Sequence, residues 1–452
     1  MTVLELHDIQ GIVLFAYASL SHARYLSVSF EGGASPEPWL AELRHEVQGA
    51  ATRSGTHPRD ERVHVAFTHA GLERLGLEKR ELESFPRELQ QGMGNPLRAH
   101  VLGDDPRTWE FGAPHQPTLH ALLLVFAKTP EGVAALRDRL VSRLASYGCV
   151  VVHEDSAQLR EPLREPFGFR DGIAQPHIAG SPRARRSHEV EVAAGEFVLG
   201  YPNAYEELPP SPKGKDGFDL GKNGSYLVYR KLRQDTSGFW QCMLDQAEPP
   251  GDARGATKLA ASIVGRWPSG APLVKYPERD PGSSGTTDDF TFHEDDPDGA
   301  KCPFGAHIRR ANPRDMLLPS PEESTKAVGR HRLLRRGRPY GPPAPTTPLA
   351  AAQAPEAERG LVFLALNASF RRQFEFVQQT WINNPKFGGL YDERDPLIGN
   401  AGAQGQHFSI PAAPARRRLA NLQSFVTLRG GGYFFVPSLS ALEWMSRTNR
   451  GA

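Results

Sequence analysis

The apolar positions change period along the chain, and the changes mark its elements. "RYLSVSF" (24–30) and "RVHVAFT" (62–68) alternate apolar and polar residues, the pattern of half-buried strands. "LHALLLVFA" (119–127) is a continuous apolar strand. Val133, Leu136, Leu140 and Leu144 follow at helical spacing, and "CVVVHE" (149–154) completes a strand–helix–strand unit. The second half repeats the theme without visible sequence identity. "GSYLVYRKL" (224–232) and "GLVFLALN" (360–367) read as strands, and "SFRRQFEFVQQTWI" (369–382) as a helix. "SFVTLRGGGYFFVPS" (424–438) reads as a hairpin turning on three glycines. The pattern predicts an α+β fold of two halves, with helices against mainly antiparallel sheets. The boundary is expected within 180–215, dividing the chain into modules 1–200 and 201–452.

Composition adds connections to this picture. Glycine and proline reach 44 and 39 among 452 residues and cluster at 207–217, 341–357 and 409–415, which read as surface linkers. The 341–357 stretch reads as a mobile linker, with a lid over a site as the alternative. With 53 Lys+Arg against 52 Asp+Glu, the net charge of +1 gives no general attraction to nucleic acid or membrane. Three dispersed cysteines, Cys149, Cys242 and Cys302, argue against a disulfide framework, CxxC metal sites and covalent CxxCH haem attachment. No cationic segment precedes an apolar stretch at the N-terminus, so the expected location is the cytoplasm.

Charge is nonetheless patterned locally. Residues 278–298 hold eight acids and one arginine and read as an exposed acidic loop. Residues 301–338 hold ten Lys/Arg and three acids, but Leu333, Leu334, Pro339 and Tyr340 are interleaved with them, so part of that stretch should pack. There is no HExxH, GxSxG or Walker A motif, and no GxGxxG follows a strand, which leaves little room for serine-hydrolase or phosphate-cradling chemistry.

Three stretches stand out: "EPFGFRDGIAQP" (165–176), "KCPFGAHIRRANPRD" (301–315) and "LRRGRPYG" (334–341). Taken singly, Asp171-Gly172 is a common turn dipeptide, and one histidine among 16 is usually structural. Taken together and in order, they resemble the dye-decolorizing peroxidases. "GFRDG" resembles that family's GxxDG signature, "CPFGAHIRRANPR" its proximal-histidine segment and "LRRGRPYG" its distal-arginine segment. "DIQG", "GEFVLGYPN" and "WINNPKFGGLYDERDPLIGN" extend the likeness over nearly the whole chain. It is closest to the longer members, which carry extra loops.

The resemblance implies two ferredoxin-like modules arranged as a barrel and a noncovalent haem b. It also implies reduction of hydrogen peroxide through a ferryl intermediate, with one-electron oxidation of aromatic and phenolic compounds and dyes. Carried over, His307 is the iron ligand, Asp171 the distal acid–base residue and Arg335 the distal arginine. Glu375 is the candidate partner of His307, an exposed helix glutamate being the alternative. Leu361 and Phe363 would wall the distal pocket or serve as ordinary core. Arg309 and Arg314 would meet the haem propionates or remain surface arginines. Tyr340 and Trp381 are rival surface electron-transfer sites. Arg338 stands where relatives usually have an apolar residue, which bears on the local surface and substrate preference.

These residue types suit the chemistry. Imidazole is a strong neutral ligand for haem iron. A carboxylate can move a proton from the inner to the outer oxygen of peroxide, and a guanidinium stabilises charge on the leaving oxygen. An unperturbed Asp titrates near ~3.9, so an acidic activity optimum is expected. Two other readings compete: a haem-handling protein without peroxidase activity, and an α+β module binding an anionic partner through 301–338.

Overall fold

The computed structural model describes residues 3–447 apart from 31, 33, 35, 52–59, 162, 187–188 and 401–404. Its frame is one antiparallel sheet. The first half contributes β1 (His22–Phe30), β2 (Glu61–Phe67), β3 (Ala121–Ala127) and β4 (Cys149–Gln158). The second contributes β5 (Ser225–Gln234), β6 (Leu334–Arg335), β7 (Arg338–Tyr340), β8 (Gly360–Asn367) and β9 (Val426–Val436). The strands run in the order β5-β9-β2-β3-β1-β4-β7-β8, and β8 pairs back onto β5, closing the sheet into a barrel. β6 and β7 lie along β8 as one strand broken at Arg336-Gly337. The two halves meet at Phe435 opposite Phe67 and at Ala157 opposite Tyr340.

β3 is apolar throughout because both of its faces are covered. Leu122, Leu124 and Phe126 join Tyr25, Tyr229 and Phe434 in one core cluster. Leu123 and Val125 turn to the other face, into the cluster that holds Leu136, Leu140 and Leu144 of α1 (Pro130–Ser146). Thr129 caps α1 by accepting from the Gly132 amide, and Pro130 opens it where no amide donor is needed.

A third cluster forms beside β5. Phe239 and Trp240 of α2 (Thr236–Asp245) and Leu259 and Ile263 of α3 (Ala253–Val264) pack there with Phe167 and Phe169. Asp235 and Asp252 cap the two helices.

Several expectations are corrected. The glycines of 430–432 make no turn, because they lie inside the 11-residue strand β9. An added Cβ at Gly430 would stand 2.6 Å from ring carbons of Phe111, so glycine is there to let another chain segment approach. The acidic stretch is not simply a solvated loop: Asp288 pairs with Arg266 and Arg314, and buried Asp296 with Arg309. Within 341–357, Pro348–Ala352 forms a short helix with Ala351 fully buried in the third cluster. Arg338 is 1 % exposed, donates to the carbonyls of Leu20, Ala16 and Tyr17, and lies over Phe126, so it fastens the N-terminal segment and makes no surface. Among the described residues, no helix is long and apolar enough to cross a membrane.

Candidate active site

A cavity opens between the barrel wall and the helices beside it. Its empty volume is about 1550 Å³, including the part open to solvent. Leu232 and Gln234 of β5 and Leu361 and Phe363 of β8 form one side; Val264 of α3 and Ile308 and Ala311 of α4 (His307–Ala311) also line it. His307, Asp171 and Arg335 all line it too, although 164 residues separate the last two.

His307 Nδ1 lies 2.8 Å from Asp395 Oδ2. Asp395 is fully buried, and its other oxygen accepts from the amides of Leu397 (2.9 Å) and Ile398 (3.0 Å), an Asx turn that fixes the carboxylate. Burial disfavours its charge, but His307 and those amides outweigh burial and hold its carboxyl below the ordinary range. An ionised carboxylate can only accept, so Nδ1 carries the proton between them, and Asp395 moves the His307 pKa upward against the effect of burial, leaving Nδ1 unavailable and Nε2 as the nitrogen that could meet a metal.

This corrects the expected partner. Phe374, Val377, Gln378 and Ile382 of the helical run 371–382 face the cavity, whereas Glu375, one position on from Phe374, turns away. Glu375 instead accepts from Arg98 (2.9 Å) and from the Tyr433 hydroxyl (2.8 Å). Asp395 opens the Asp-Pro-Leu-Ile run of "WINNPKFGGLYDERDPLIGN", where an Asp before Pro is the signal for such a turn.

Asp171 ends a miniature hairpin. Leu163 and Asp171 are joined through the Asp171 amide and the Leu163 carbonyl (3.2 Å), Arg164 bridges Arg170, and the Glu165 amide donates to the Phe169 carbonyl (3.0 Å). Gly168, at φ +97°, makes the reversal at its tip. Phe167 and Phe169 plug this tip into the third cluster, where the Trp240 indole N–H donates to the Phe167 carbonyl (3.0 Å).

Asp171 Oδ1 accepts from Arg335 Nη1 at 2.9 Å and from the Gly172 amide at 2.6 Å. Burial alone would raise its pKa, but Arg335 and that amide reverse the balance and hold it below the usual carboxylate value. Arg335 sits on β6 opposite Ala365 of β8, with its amide donating to Gln175 of the Asp171 segment (3.2 Å). The His307, Asp171 and Arg335 charges are close enough to influence one another.

The remaining sequence candidates divide. Leu361 and Phe363 line the cavity. Arg314 does as well, at φ +54°, but its guanidinium already donates to Asp288 and to the carbonyls of Asp288 and Phe290. Arg309 does not line the cavity: it is fully buried, held by Asp296 and the Cys302 carbonyl between the rings of Phe292 and Phe304. Tyr340 and Trp381 are 6 % and 4 % exposed, so neither offers a surface contact; the aromatic residues classed as exposed among the described residues are Tyr205 and Tyr391.

Sequence reasoning missed two cavity residues. Arg332 lines the cavity and has no carboxylate partner among the described residues. Glu165 lines it a few residues before Asp171.

The site fits the group that the sequence implies. An apolar cavity holds an imidazole whose Nδ1 is taken by Asp395, a carboxylate–guanidinium pair, and a guanidinium at Arg332 that makes no ion pair among the described residues.

No protein-family model matches the chain. The dye-decolorizing peroxidase of Exidia glandulosa is 36% identical over 97% of this chain and 86% of its own length. The multifunctional dye peroxidase DyP2 of Amycolatopsis is 34% identical over 75% and 74%. Among solved structures, a fungal DyP-type peroxidase from Auricularia auricula-judae superposes with a TM-score of 0.82 at 27% identity, covering 99% of this chain and 100% of that one. The chain belongs to the dye-decolorizing peroxidase family.

Proposed function

We propose that this chain binds haem b noncovalently, reduces hydrogen peroxide and oxidises aromatic and phenolic compounds and dyes by one-electron steps. The observation that carries the reading is the convergence of His307–Asp395 and Asp171–Arg335 on one cavity. His307 would hold the iron through Nε2, with Asp395 fixing the ring and strengthening the ligand. Arg332 would meet a propionate, a role that Arg309 cannot fill from its buried position and for which Arg314 is already engaged by Asp288. Leu361, Phe363 and Phe374 would keep the cavity dry.

The haem, when bound, supplies the redox chemistry: cleavage of the peroxide O–O bond and two oxidising equivalents passed on singly. The chain supplies the proton and charge handling. Asp171, held ionised, accepts the proton from the inner oxygen of peroxide and returns it to the outer one. Arg335 orients Asp171 and stabilises negative charge on the departing oxygen. The division of the chain into modules 1–200 and 201–452 belongs to the same reading.

The rival anion-binding reading loses its basis, since Arg309, Arg310, Arg336 and Arg338 of the basic stretch are buried. The test is an absorption spectrum of the haem-loaded protein before and after one equivalent of hydrogen peroxide. A Soret band that shifts with peroxide is expected. His307→Ala should weaken and displace that band; a variant band as strong as the wild type would remove the ligand assignment. A chain that takes up no haem at all would end the reading.

A further inference from the structure

The geometry points to Glu165 as the positioning residue for Asp171. Its carboxylate is wrapped by the loop that it begins. Oε1 accepts from the Phe169 amide (2.8 Å), and Oε2 accepts from the Phe167 amide (2.9 Å) and from Gln234 Nε2 on β5 (2.7 Å). Both carboxylate oxygens are thus engaged by the tip of the hairpin, and the third bond ties that tip to the barrel.

Asp171 depends on this clamp through the backbone. The hairpin pairs Glu165 with Phe169 and Leu163 with Asp171, so a shift at the tip is carried two residues down to the carboxylate that must meet Arg335. The rest of the tip is held by apolar contacts and single bonds, such as Trp240 to the Phe167 carbonyl and Arg164 to the Gly168 carbonyl (2.7 Å). A carboxyl group can turn an oxygen lone pair to each amide at once, with its proton, when it carries one, aimed elsewhere. A carboxamide would accept from one and turn its own N–H groups on the other, setting donor against donor. Glu165 also lines the cavity, so the clamp sits in the space where peroxide reacts.

The inference rests on the reading of Asp171 as the acceptor of the peroxide proton. Its test is a double-mutant cycle on the haem-loaded enzyme, measuring the second-order rate with hydrogen peroxide in wild type, Glu165→Gln, Asp171→Asn and the double variant. Glu165→Gln is expected to slow the wild type about 10-fold or more and the Asp171→Asn enzyme less than about 2-fold, because a residue acting through another adds little once that one is gone. An equal loss in both backgrounds, or none in wild type, would overturn it.

Cyanide affinity gives a second readout without turnover. Hydrogen cyanide must yield its proton to the distal carboxylate as it binds, so Glu165→Gln should weaken binding as Asp171→Asn does, again without additivity. If Glu165→Gln does not fold, Gln234→Leu removes only the third bond and should slow the peroxide step in the same direction, about 3-fold; an unchanged rate there would count against the clamp. A wild type that does not react with peroxide would sink the functional reading and this inference together. A wild type that reacts, with unaffected variants, would sink this inference alone.

Discussion

Asp395 Oδ2 stands 2.8 Å from His307 Nδ1, although the two are 88 positions apart in the sequence. The pair is built from the short helix α4 and the Asx turn of 395–398, and the turn amides prevent the carboxylate from swinging away. Asp395→Asn keeps the shape but loses the charge that makes the imidazole a stronger donor. It should reduce haem affinity or peroxidase rate about 10- to 100-fold. Haem titration and the Soret position would report it, and an unchanged titration would argue against the pairing.

Asp171 and Arg335 should divide the peroxide step. Asp171→Asn removes the proton acceptor and should cost about 10²- to 10⁴-fold in the rate of peroxide reaction. Arg335→Leu removes charge stabilisation, worth about 10²- to 10³-fold for a comparable preorganised donor. Stopped-flow spectra of both variants would apportion the work.

The pH dependence follows from Asp171 itself. Its pKa lies below the usual 3.8 because Arg335 and the Gly172 amide outweigh its burial. A lowered carboxyl loses its favourable ionised interactions only as pH falls through its folded pKa, so Asp171 remains a competent base under mildly acidic conditions. The peroxide step should therefore persist to acid pH. A pH–rate profile that peaks clearly above neutrality would contradict this.

Glu165 behaves in the opposite sense. Burial is the main cause raising its pKa to about 7, with Asp171 adding to it, while the Phe167 amide, Gln234 and the Phe169 amide oppose the shift. A raised carboxyl contributes stability that is complete below its unfolded value of 4.5 and is lost as pH rises through about 7. The haem-free protein should therefore lose on the order of 2 kcal/mol between those limits, allowing for contact with cavity water. Glu165→Gln should flatten that slope in urea unfolding; an unchanged slope would place the titration elsewhere.

The glycines of β9 offer a test independent of the chemistry. A side chain at Gly430 would meet the ring and the backbone carbonyl of Phe111 at 2.6 and 2.8 Å. Gly430→Val should therefore destabilise the protein by about 1–3 kcal/mol. Thermal unfolding would register the loss, and a wild-type midpoint would show that Phe111 can yield.

Much of this was legible in order along the chain. Helical spacing located α1, whose one face is buried continuously, and period-two alternation located β1 and β2, although these strands are not half-buried: their polar positions Ser27, Ser29 and His64 are buried as well. The triple glycine was misread because glycine marks a turn and a close approach alike, and only the position of Phe111 separates them. His307, Asp171 and Arg335 stood in stretches too specific for filler. The Asp395 contact was invisible, since it joins the first residue of α4 to a distant turn that any Asp-Pro sequence could make. The basic stretch packs in part, as its interleaved apolar residues imply, and carbonyl groups hidden from water accept from Arg310 and Arg338 just as carboxylates would.

The closed ring of strands also governs what pieces of this protein can exist. The halves meet along the outer strands of each sheet, β2 against β9 at Phe67–Phe435 and β4 against β7 at Ala157–Tyr340, while the Val63 and Val65 amides of β2 are held by Gln48 and Gln10 of the first half. A fragment ending near residue 200 would lose the second-half partners of β4 and of the end of β2, exposing part of a margin on which chains stack. Cutting the gene at that boundary should yield insoluble or self-associating material. Co-expressing both pieces should restore a soluble barrel.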